Sequence, residues 1–254
     1  MTEKTETIKQ ETAGGTELRA EALRKCFKGR DVVDGVDIRV GQGEIVGLLG
    51  ANGAGKSTTF YMIVGRILPD SGRVFIGDED VSAQPMYIRA RHGIGYLPQE
   101  ASIFRRITVR DNIDLVLSAN GVDARTRASE CDRLLEEFGL ENISGALGYA
   151  LSGGERRRVE IARCLAMKPL FILLDEPFSG IDPVSVYDIQ EIIRRLSGQG
   201  YGILLTDHNV RETLAITNRS YLMHEGRVVV EGDGGKIAGD PLAIKYYLGE
   251  RFVW

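Results

Sequence analysis

Residues 50–58 read GANGAGKST and follow the apolar run Glu44–Leu49. The run is short and rich in strand-forming residues, so it predicts a buried strand that ends at the loop. The pattern GxxxxGK[ST] is the P-loop (Walker A) motif, whose backbone N–H groups surround a nucleotide phosphate. A helix predicted over Ser57–Val64 would add the partial positive charge of its N-terminus. Strand, loop and helix together predict a nucleotide site, and a glycine-rich turn without a ligand is the alternative.

The loop itself supplies the residues that contact phosphate. Its glycines allow the backbone N–H groups to turn toward one anion. Lys56 is expected to reach the β- and γ-phosphates of ATP, and the Ser57 hydroxyl is expected to bind Mg²⁺. The predicted nucleotide-binding residues here are Gly50, Asn52, Gly53, Ala54, Gly55, Lys56, Ser57 and Thr58.

A second apolar run ends in two carboxylates. Phe171–Leu174 is followed by Asp175 and Glu176. Because ligands of open α/β sheets bind at the carboxyl ends of the strands, both side chains are expected to face the nucleotide. Asp175 is the candidate for holding Mg²⁺, usually through water, and Glu176 is the candidate general base for the attacking water. The alternative is an acidic strand end that only caps a turn.

The segment LSGGE at residues 151–155 lies between these two motifs, and SGID follows at 179–182. In this order the motifs resemble those of ATP-binding-cassette (ABC) ATPases, over about residues 17–250. The resemblance implies an α/β protein: a P-loop ABC ATPase with a RecA-like core, an antiparallel β subdomain and an inserted helical subdomain. It also implies ATP and Mg²⁺ as the bound cofactors.

The LSGGE segment precedes a helix predicted from about Glu155 to Met167. Its glycines leave the backbone open, so the helix N-terminus can face an anion. The resemblance implies that this site serves ATP on the other chain of a head-to-tail homodimer. A serine-capped helix start without a ligand is the alternative. The predicted ATP-binding residues of this segment are Ser152, Gly153 and Gly154.

Three further residues take their expected roles from the resemblance. Gln99 is expected to contact Mg²⁺ and the attacking water. His208, after an apolar run, is expected to contact the γ-phosphate, although a lone histidine is more often structural. Phe27 is expected to stack on adenine, and a core or surface aromatic is the alternative. The predicted catalytic residues are Lys56, Gln99, Glu176 and His208, and the predicted metal-binding residues are Ser57, Gln99 and Asp175.

The composition is that of an ordinary globular protein. The chain has 254 residues, of which 43% are hydrophobic and 27% charged, with a formal net charge of −4. This acidic balance argues against broad nucleic-acid binding. No apolar run approaches the roughly 18 residues of a membrane span, and the N-terminus lacks an apolar signal core. The odd number of cysteines predicts a reducing compartment, with buried packing for Cys26, Cys131 and Cys164.

We predict a single ABC ATPase domain over residues 17–254, preceded by a polar, disordered tail over residues 1–16. Short alternating strands at 17–40 and about 72–77 predict the antiparallel subdomain. Residues about 87–158 are predicted to form the mostly helical subdomain.

Two patterns within and after this helical region make finer predictions. Apolar residues recur with a 3.6-residue period in a helix predicted over 124–138. The run Arg156–Arg158 is predicted to be a solvated helix face paired with Glu155 and Glu160. The periodic positions are Ala128, Cys131, Leu134, Leu135 and Phe138.

A narrower resemblance is to the ATPases of lipopolysaccharide-export transporters. It implies a homodimer at the cytoplasmic face of the inner membrane, beneath two permease subunits, that drives lipopolysaccharide toward the outer membrane. The permeases are expected to dock near Phe104 and Arg105, so that the contact with the membrane is indirect. Packing of Phe104 inside the helical subdomain is the alternative. The stretches that carry this resemblance are Thr58–Met62, Tyr96–Arg106, Leu151–Arg163, Thr206–Leu214 and Tyr247–Phe252.

Other functions share the same catalytic motifs. An ATPase of a branched-chain amino-acid importer is one, and the EASIFRR run at 100–106 argues against it. An ABC protein of DNA repair or of the ribosome is another, but the long coiled coil or second cassette of those proteins is absent from this sequence. Intact Lys56, Asp175, Glu176 and His208 argue against a catalytically silent module. The N-terminal extension and Ala51, where proline is often found, are departures from the export family.

Overall fold

The structure is a computed structural model that describes residues 15–249, so most of the expected tail at residues 1–16 lies outside the described residues. The smaller of two sheets is antiparallel, with the strand order β2-β1-β4-β5. Its first two strands have 11 and 12 residues and are longer than predicted, with register shifts that mark bulges. The strands are β1 (Glu17–Phe27), β2 (Arg30–Gly41), β4 (Ser71–Ile76) and β5 (Glu79–Asp80).

The larger sheet has six strands in the order β10-β9-β3-β8-β7-β6. All neighbours are parallel except β10, which pairs antiparallel with β9. These strands are β3 (Ile45–Gly50), β6 (Ile94–Leu97), β7 (Phe171–Asp175), β8 (Gly202–Thr206), β9 (Arg219–His224) and β10 (Arg227–Gly232). Because β3, β8, β7 and β6 are adjacent and parallel, their carboxyl ends meet at one edge of the sheet.

Helices cover this sheet and fill the long connection between β6 and β7. They are α1 (Lys56–Val64), α2 (Met86–Arg91), α3 (Val109–Ala119), α4 (Ala124–Glu137), α5 (Gly153–Leu165), α6 (Pro183–Gly198), α7 (Val210–Leu214), α8 (Gly234–Gly239) and α9 (Pro241–Ala243). Short 3₁₀ turns at Glu141–Ile143 and Gly148–Ala150 and a π-helical turn at Ile244–Leu248 complete the described structure.

The two faces of the large sheet belong to different cores. Along β7, Ile172 and Leu174 pack in a cluster with α3, α4, α5 and α6, whereas Phe171 and Leu173 pack in a cluster with the small sheet and α1. Successive strand residues point to opposite faces, so this continuous apolar run fills both cores. The strand is thereby fixed on both sides, and its polar end is held in place.

Three local predictions need correction. The helix α5 begins at Gly153, two residues before the predicted start, because Ser152 and Glu155 form a capping box around its first turn. Helix α4 confirms the 3.6-residue pattern, but Ala128 is exposed. Cys26 is exposed, so the prediction of buried packing is wrong for that cysteine. None of the described helices combines the length and apolarity required to cross a bilayer.

Arg89 joins α2 to the end of α1. Its side chain is fully buried, and its guanidinium donates hydrogen bonds to the carbonyl oxygens of Met62 and Ile63 over 2.6 and 2.8 Å. It also donates to the carbonyl oxygens of Ser82 and Gln84. A cation here satisfies carbonyls at the C-terminus of α1 that lack helical partners.

Candidate functional site

The P-loop follows β3 and leads directly into α1. Gly50 and Gly55 have positive φ values of 148° and 100°. A Cβ at either glycine would lie within 2.5 Å of a backbone oxygen, that of Met223 or that of Val32. Both positions therefore exclude other residues by close approach as well as by backbone conformation.

Lys56 is folded back over this loop. Its ammonium donates hydrogen bonds to the carbonyl oxygens of Gly50 (2.6 Å) and Ala51 (3.1 Å). Burial lowers the pKa of Lys56, while the negative charges of Glu176 and Asp175 oppose that shift. The loop thus holds a cation beside the two carboxylates.

The remaining loop residues differ in exposure. Asn52, Gly53 and Ser57 are exposed, Thr58 is half-buried, and Ala54 is buried. Helix α1 has no acidic residue in its first turn and no side-chain cap. Its first N–H groups are consequently available to an anion.

Asp175 ends β7 and is 3% exposed. The Tyr96 hydroxyl donates to its carboxylate over 3.4 Å. Burial raises the pKa of Asp175, and the hydroxyls of Tyr61 and Tyr96 oppose the shift by hydrogen bonding to the charged form.

Glu176 connects three neighbouring strands. One of its carboxylate oxygens lies 2.6 Å from His208 Nε2, and the other accepts a hydrogen bond from Gln99 Nε2 over 2.5 Å. Its backbone N–H donates to Thr206 at the end of β8, and its φ of 48° is rare outside glycine. The structure brings together Gln99, Glu176 and His208, three of the four predicted catalytic residues, with Lys56 nearby as the charge partner of Glu176.

The donor set suits Mg²⁺ bound together with nucleotide phosphates. The site offers the buried carboxylate of Asp175, the hydroxyl of Ser57 and the amide of Gln99, all oxygen donors of the kind that Mg²⁺ prefers. Between residues 15 and 249, no cluster of three or more His, Cys, Asp or Glu side chains could hold a metal by itself. Since Mg²⁺ usually takes one or two protein carboxylates plus phosphate oxygens and water, this sparse set fits the ion.

The LSGGE segment lies next to residues 180–185, which follow Glu176. A Cβ at Gly153 would contact Gly180, and one at Gly154 would clash with Ser185. Ser152 caps α5 through its own side chain. Among the hydrogen bonds of the described residues, none joins Ser152, Gly153 or Gly154 to residues 50–58.

Phe27 lies at the end of β1 and is 43% exposed. The Lys25 ammonium lies 5.6 Å from the centroid of its ring. The alternative of a core aromatic is therefore wrong, and stacking on adenine stays a prediction for this surface ring.

Arg157 is a residue of the site that the sequence interpretation missed. It is not solvated: the Arg157 side chain is 8% exposed and its partner Glu160 2%, with 3.2 Å between Nη1 and Oε2. The guanidinium also donates to the carbonyl oxygens of Pro98 and Asp175. It therefore joins the loop of Gln99 to the end of β7. The sequence did contain a signal for this burial. Arg157 lies three residues after Gly154 and four before Ile161, which are both buried, and positions three or four apart share a helix face.

Glu160 extends this connection to the segment near Phe104. Its Oε1 accepts hydrogen bonds from the backbone N–H groups of Ser102 and Ile103 over 2.6 and 3.2 Å. Phe104 itself is 46% exposed, and the Arg163 guanidinium lies 4.7 Å from the centroid of its ring. The alternative of internal packing is wrong for Phe104.

An apolar cavity of about 210 Å³ opens beside this segment. Residues of α2, β6, α3 and α5 form its walls. They include Met86, Tyr87, Tyr96, Val116, Arg163 and Cys164.

A family profile described as ABC transporter matches residues 33–179. The chain belongs to the ABC transporter family. This membership confirms the predicted ATPase class, in which ATP hydrolysis is coupled to transport. The cassette is 53% identical over 236 residues to the lipopolysaccharide export system ATP-binding protein LptB of Escherichia coli (strain K12), covering 92% of this chain and 98% of that protein.

Further comparisons place the cassette in the same group. The LptB of Haemophilus influenzae is also 53% identical over 236 residues, with 92% and 98% coverage. A probable ABC transporter ATP-binding protein of Azorhizobium caulinodans is 54% identical over 241 residues, with 95% and 85% coverage. A crystal structure of the ADP conformation of an ATP-binding cassette of an ABC transporter superposes with a TM-score of 0.83 at 27% identity, covering 92% of this chain and 99% of that one. The predicted fold class is confirmed.

Proposed function

We propose that this chain is the ATP-hydrolysing subunit of an inner-membrane transporter that extracts lipopolysaccharide and drives its export toward the outer membrane. The observation that carries the proposal is the 53% identity to lipopolysaccharide export proteins across 92% of the chain. The catalytic geometry suits an importer equally well. The sequence identity to lipopolysaccharide export proteins, which extends over 92% of the chain, favours export.

The hydrolytic step follows from the positions of four side chains. Lys56 and the N-terminus of α1 bind the β- and γ-phosphates of ATP and offset their charge. Glu176 accepts a proton from the attacking water, and its carboxylate is oriented by contacts with His208 and Gln99. His208 is also assigned to the γ-phosphate.

The metal site is assigned to Asp175, Ser57 and Gln99. When bound, Mg²⁺ neutralises charge on the β- and γ-phosphates. Asp175, fixed by its buried position, would hold the ion directly or through water, and the Ser57 hydroxyl in the first turn of α1 would be a second ligand.

ATP hydrolysis is assigned to a head-to-tail homodimer. Ser152, Gly153 and Gly154 form the N-terminus of α5, which favours an anion, yet they share no hydrogen bond with the P-loop of their own chain. The γ-phosphate on the partner chain is the ligand that satisfies both observations. Phe27 is assigned to the adenine on its own chain.

Two permease subunits are assigned to the apolar cavity and its rim. Phe104 and Arg105 are exposed, and Arg163, which lies over the Phe104 ring, lines the cavity together with Met86 and Tyr87. This surface suits a helix with apolar and acidic side chains. The chain would then sit at the cytoplasmic face of the inner membrane without entering it. We assign residues 17–254 to one domain, with the helical subdomain at about 87–158.

The test is co-purification of Glu176→Gln from native membranes, followed by mass spectrometry of the bound proteins and lipids. Two permease-type proteins with lipopolysaccharide are the expected result. Amino-acid permeases with a periplasmic binding protein would replace the export assignment by an importer. The absence of any membrane partner, with ATP binding intact, would overturn the transport role of this chain.

A further inference from the structure

Two tyrosine side chains lie beside the carboxylate of Asp175. The Tyr96 hydroxyl donates a hydrogen bond to its Oδ2 over 3.4 Å, and the Tyr61 hydroxyl lies close enough to interact electrostatically with the same carboxylate. Tyr61 belongs to α1 and Tyr96 to β6. The helix that begins at the P-loop and the strand that leads to Gln99 therefore both reach one side chain at the end of β7.

A neighbouring cation lies over one of these rings. The Arg66 guanidinium lies 4.9 Å from the centroid of the Tyr61 ring. The ordinary pKa of a tyrosine phenol is about 10, so both hydroxyls are protonated near neutral pH. A protonated phenol can donate to a carboxylate.

Packing alone does not require a hydroxyl at position 96. The ring of fully buried Phe60 lies 6.1 Å from the ring of Tyr96, and both belong to a mainly apolar core. A phenylalanine at 96 would keep these ring contacts. What the tyrosine adds is the hydrogen bond to Asp175.

We propose that Tyr61 and Tyr96 are positioning residues that hold the Asp175 carboxylate in the orientation that binds Mg²⁺. The inference rests on the proposed function, which makes Asp175 the carboxylate of the metal site. Fixing one carboxylate oxygen restricts rotation of the group about its terminal bond. Partners of this kind typically change metal affinity by about 10- to 100-fold when they are removed.

The test compares variants of the full chain in the Glu176→Gln background, which prevents hydrolysis. A fluorescent ATP analogue is titrated in EDTA and in Mg²⁺, and the ratio of the two dissociation constants gives the Mg²⁺-dependent gain in affinity. Tyr96→Phe is the main variant and Tyr61→Phe the second. Tyr187→Phe is the matched control, because it removes the hydroxyl of an exposed tyrosine on α6 that does not line the cavity.

We expect Tyr96→Phe to reduce the Mg²⁺-dependent gain about tenfold while leaving the affinity in EDTA and the melting temperature unchanged. Tyr187→Phe should match the parent protein. If one of the two tyrosine variants lowers the melting temperature, the Mg²⁺-dependent gain of the other variant is used to test the positioning role. Equal gains in both variants and the control would overturn the inference.

Asp175→Asn separates this inference from the function on which it rests. Loss of the Mg²⁺-dependent gain in Asp175→Asn, with the gain intact in Tyr96→Phe and Tyr61→Phe, would refute only the role of the tyrosines. An unchanged gain in Asp175→Asn would refute the metal site itself and the positioning role with it.

Discussion

The carboxylate of Glu176 and the imidazole of His208 are in direct contact, with 2.6 Å between Oε1 and Nε2. The other carboxylate oxygen is bound by Gln99. These residues follow three neighbouring parallel strands, so the contact depends on strand order as much as on the side chains. The backbone of Glu176 is also held in the left-handed region, a strained conformation that is often found at functional sites.

Glu176→Gln should abolish turnover and preserve ATP binding. The amide keeps the size of the side chain and removes the proton acceptor, so phosphate release should fall by about 10²- to 10⁴-fold. Single-turnover hydrolysis and nucleotide affinity are the two measurements. Glu212→Gln, on α7, is a control for the loss of one negative charge. Rapid hydrolysis by Glu176→Gln would refute the general-base assignment.

The pH dependence of hydrolysis should reflect the buried position of Glu176. Burial raises the pKa of Glu176, and the charge of His208 opposes the shift. Because the base acts only when deprotonated, activity should fall as pH drops through this raised pKa. The acid limb of kcat/KM is therefore expected above the ordinary glutamate value of about 4.3. Melting temperatures at each pH separate titration from unfolding, and a limb at or below that value would contradict the assignment.

Phe104→Ala should weaken assembly with the membrane subunits and spare ATP binding. Phe104 is a half-exposed aromatic in contact with Arg163, a residue of the cavity wall. Truncation of such an anchor residue commonly costs more than about 1 kcal/mol of binding free energy. Co-purification yield and affinity for the permease complex measure the effect. Leu242→Ala removes an exposed apolar side chain of α9, outside the segment assigned to docking, and it should assemble normally. Undiminished assembly of Phe104→Ala would move the docking surface elsewhere.

Glu160→Ala should lower the free energy of unfolding. It leaves the buried Arg157 guanidinium without its partner and removes the acceptor for two backbone N–H groups, so a loss of about 3–5 kcal/mol is expected. Urea denaturation measures it. Glu191→Ala breaks the exposed pair with Arg194 and should cost at most about 1 kcal/mol. Similar small losses in both variants would mean that the buried pair is not important for stability.

The central strands and their polar ends were predictable because each apolar run stops at a motif residue. The strand order was not predicted, and the contact between Glu176 and His208 depends on it. Arg157 was not predictable from charge, since three successive arginines are usually solvated. Its burial depends on long-range contacts with Pro98 and Asp175, which lie 59 and 18 residues away in sequence.

Exposure was the other weak point of the sequence interpretation. Cys26 and Ala128 have the apolar character of core residues, yet both are exposed. Whether a small apolar residue is covered depends on which element packs over it. No short-range pattern contains that information, because exposed apolar residues are common in folded proteins.

Arg89 couples helices α1 and α2. The guanidinium ties α2 to the far end of α1, and α2 carries Met86 and Tyr87 on the cavity wall while α1 begins at Lys56. A displacement of α2 at the cavity would therefore be transmitted to α1, whose first residue is the proposed phosphate-binding Lys56. The helix of the proposed partner-binding surface and the helix of the proposed ATP-binding loop are thus coupled through one buried side chain.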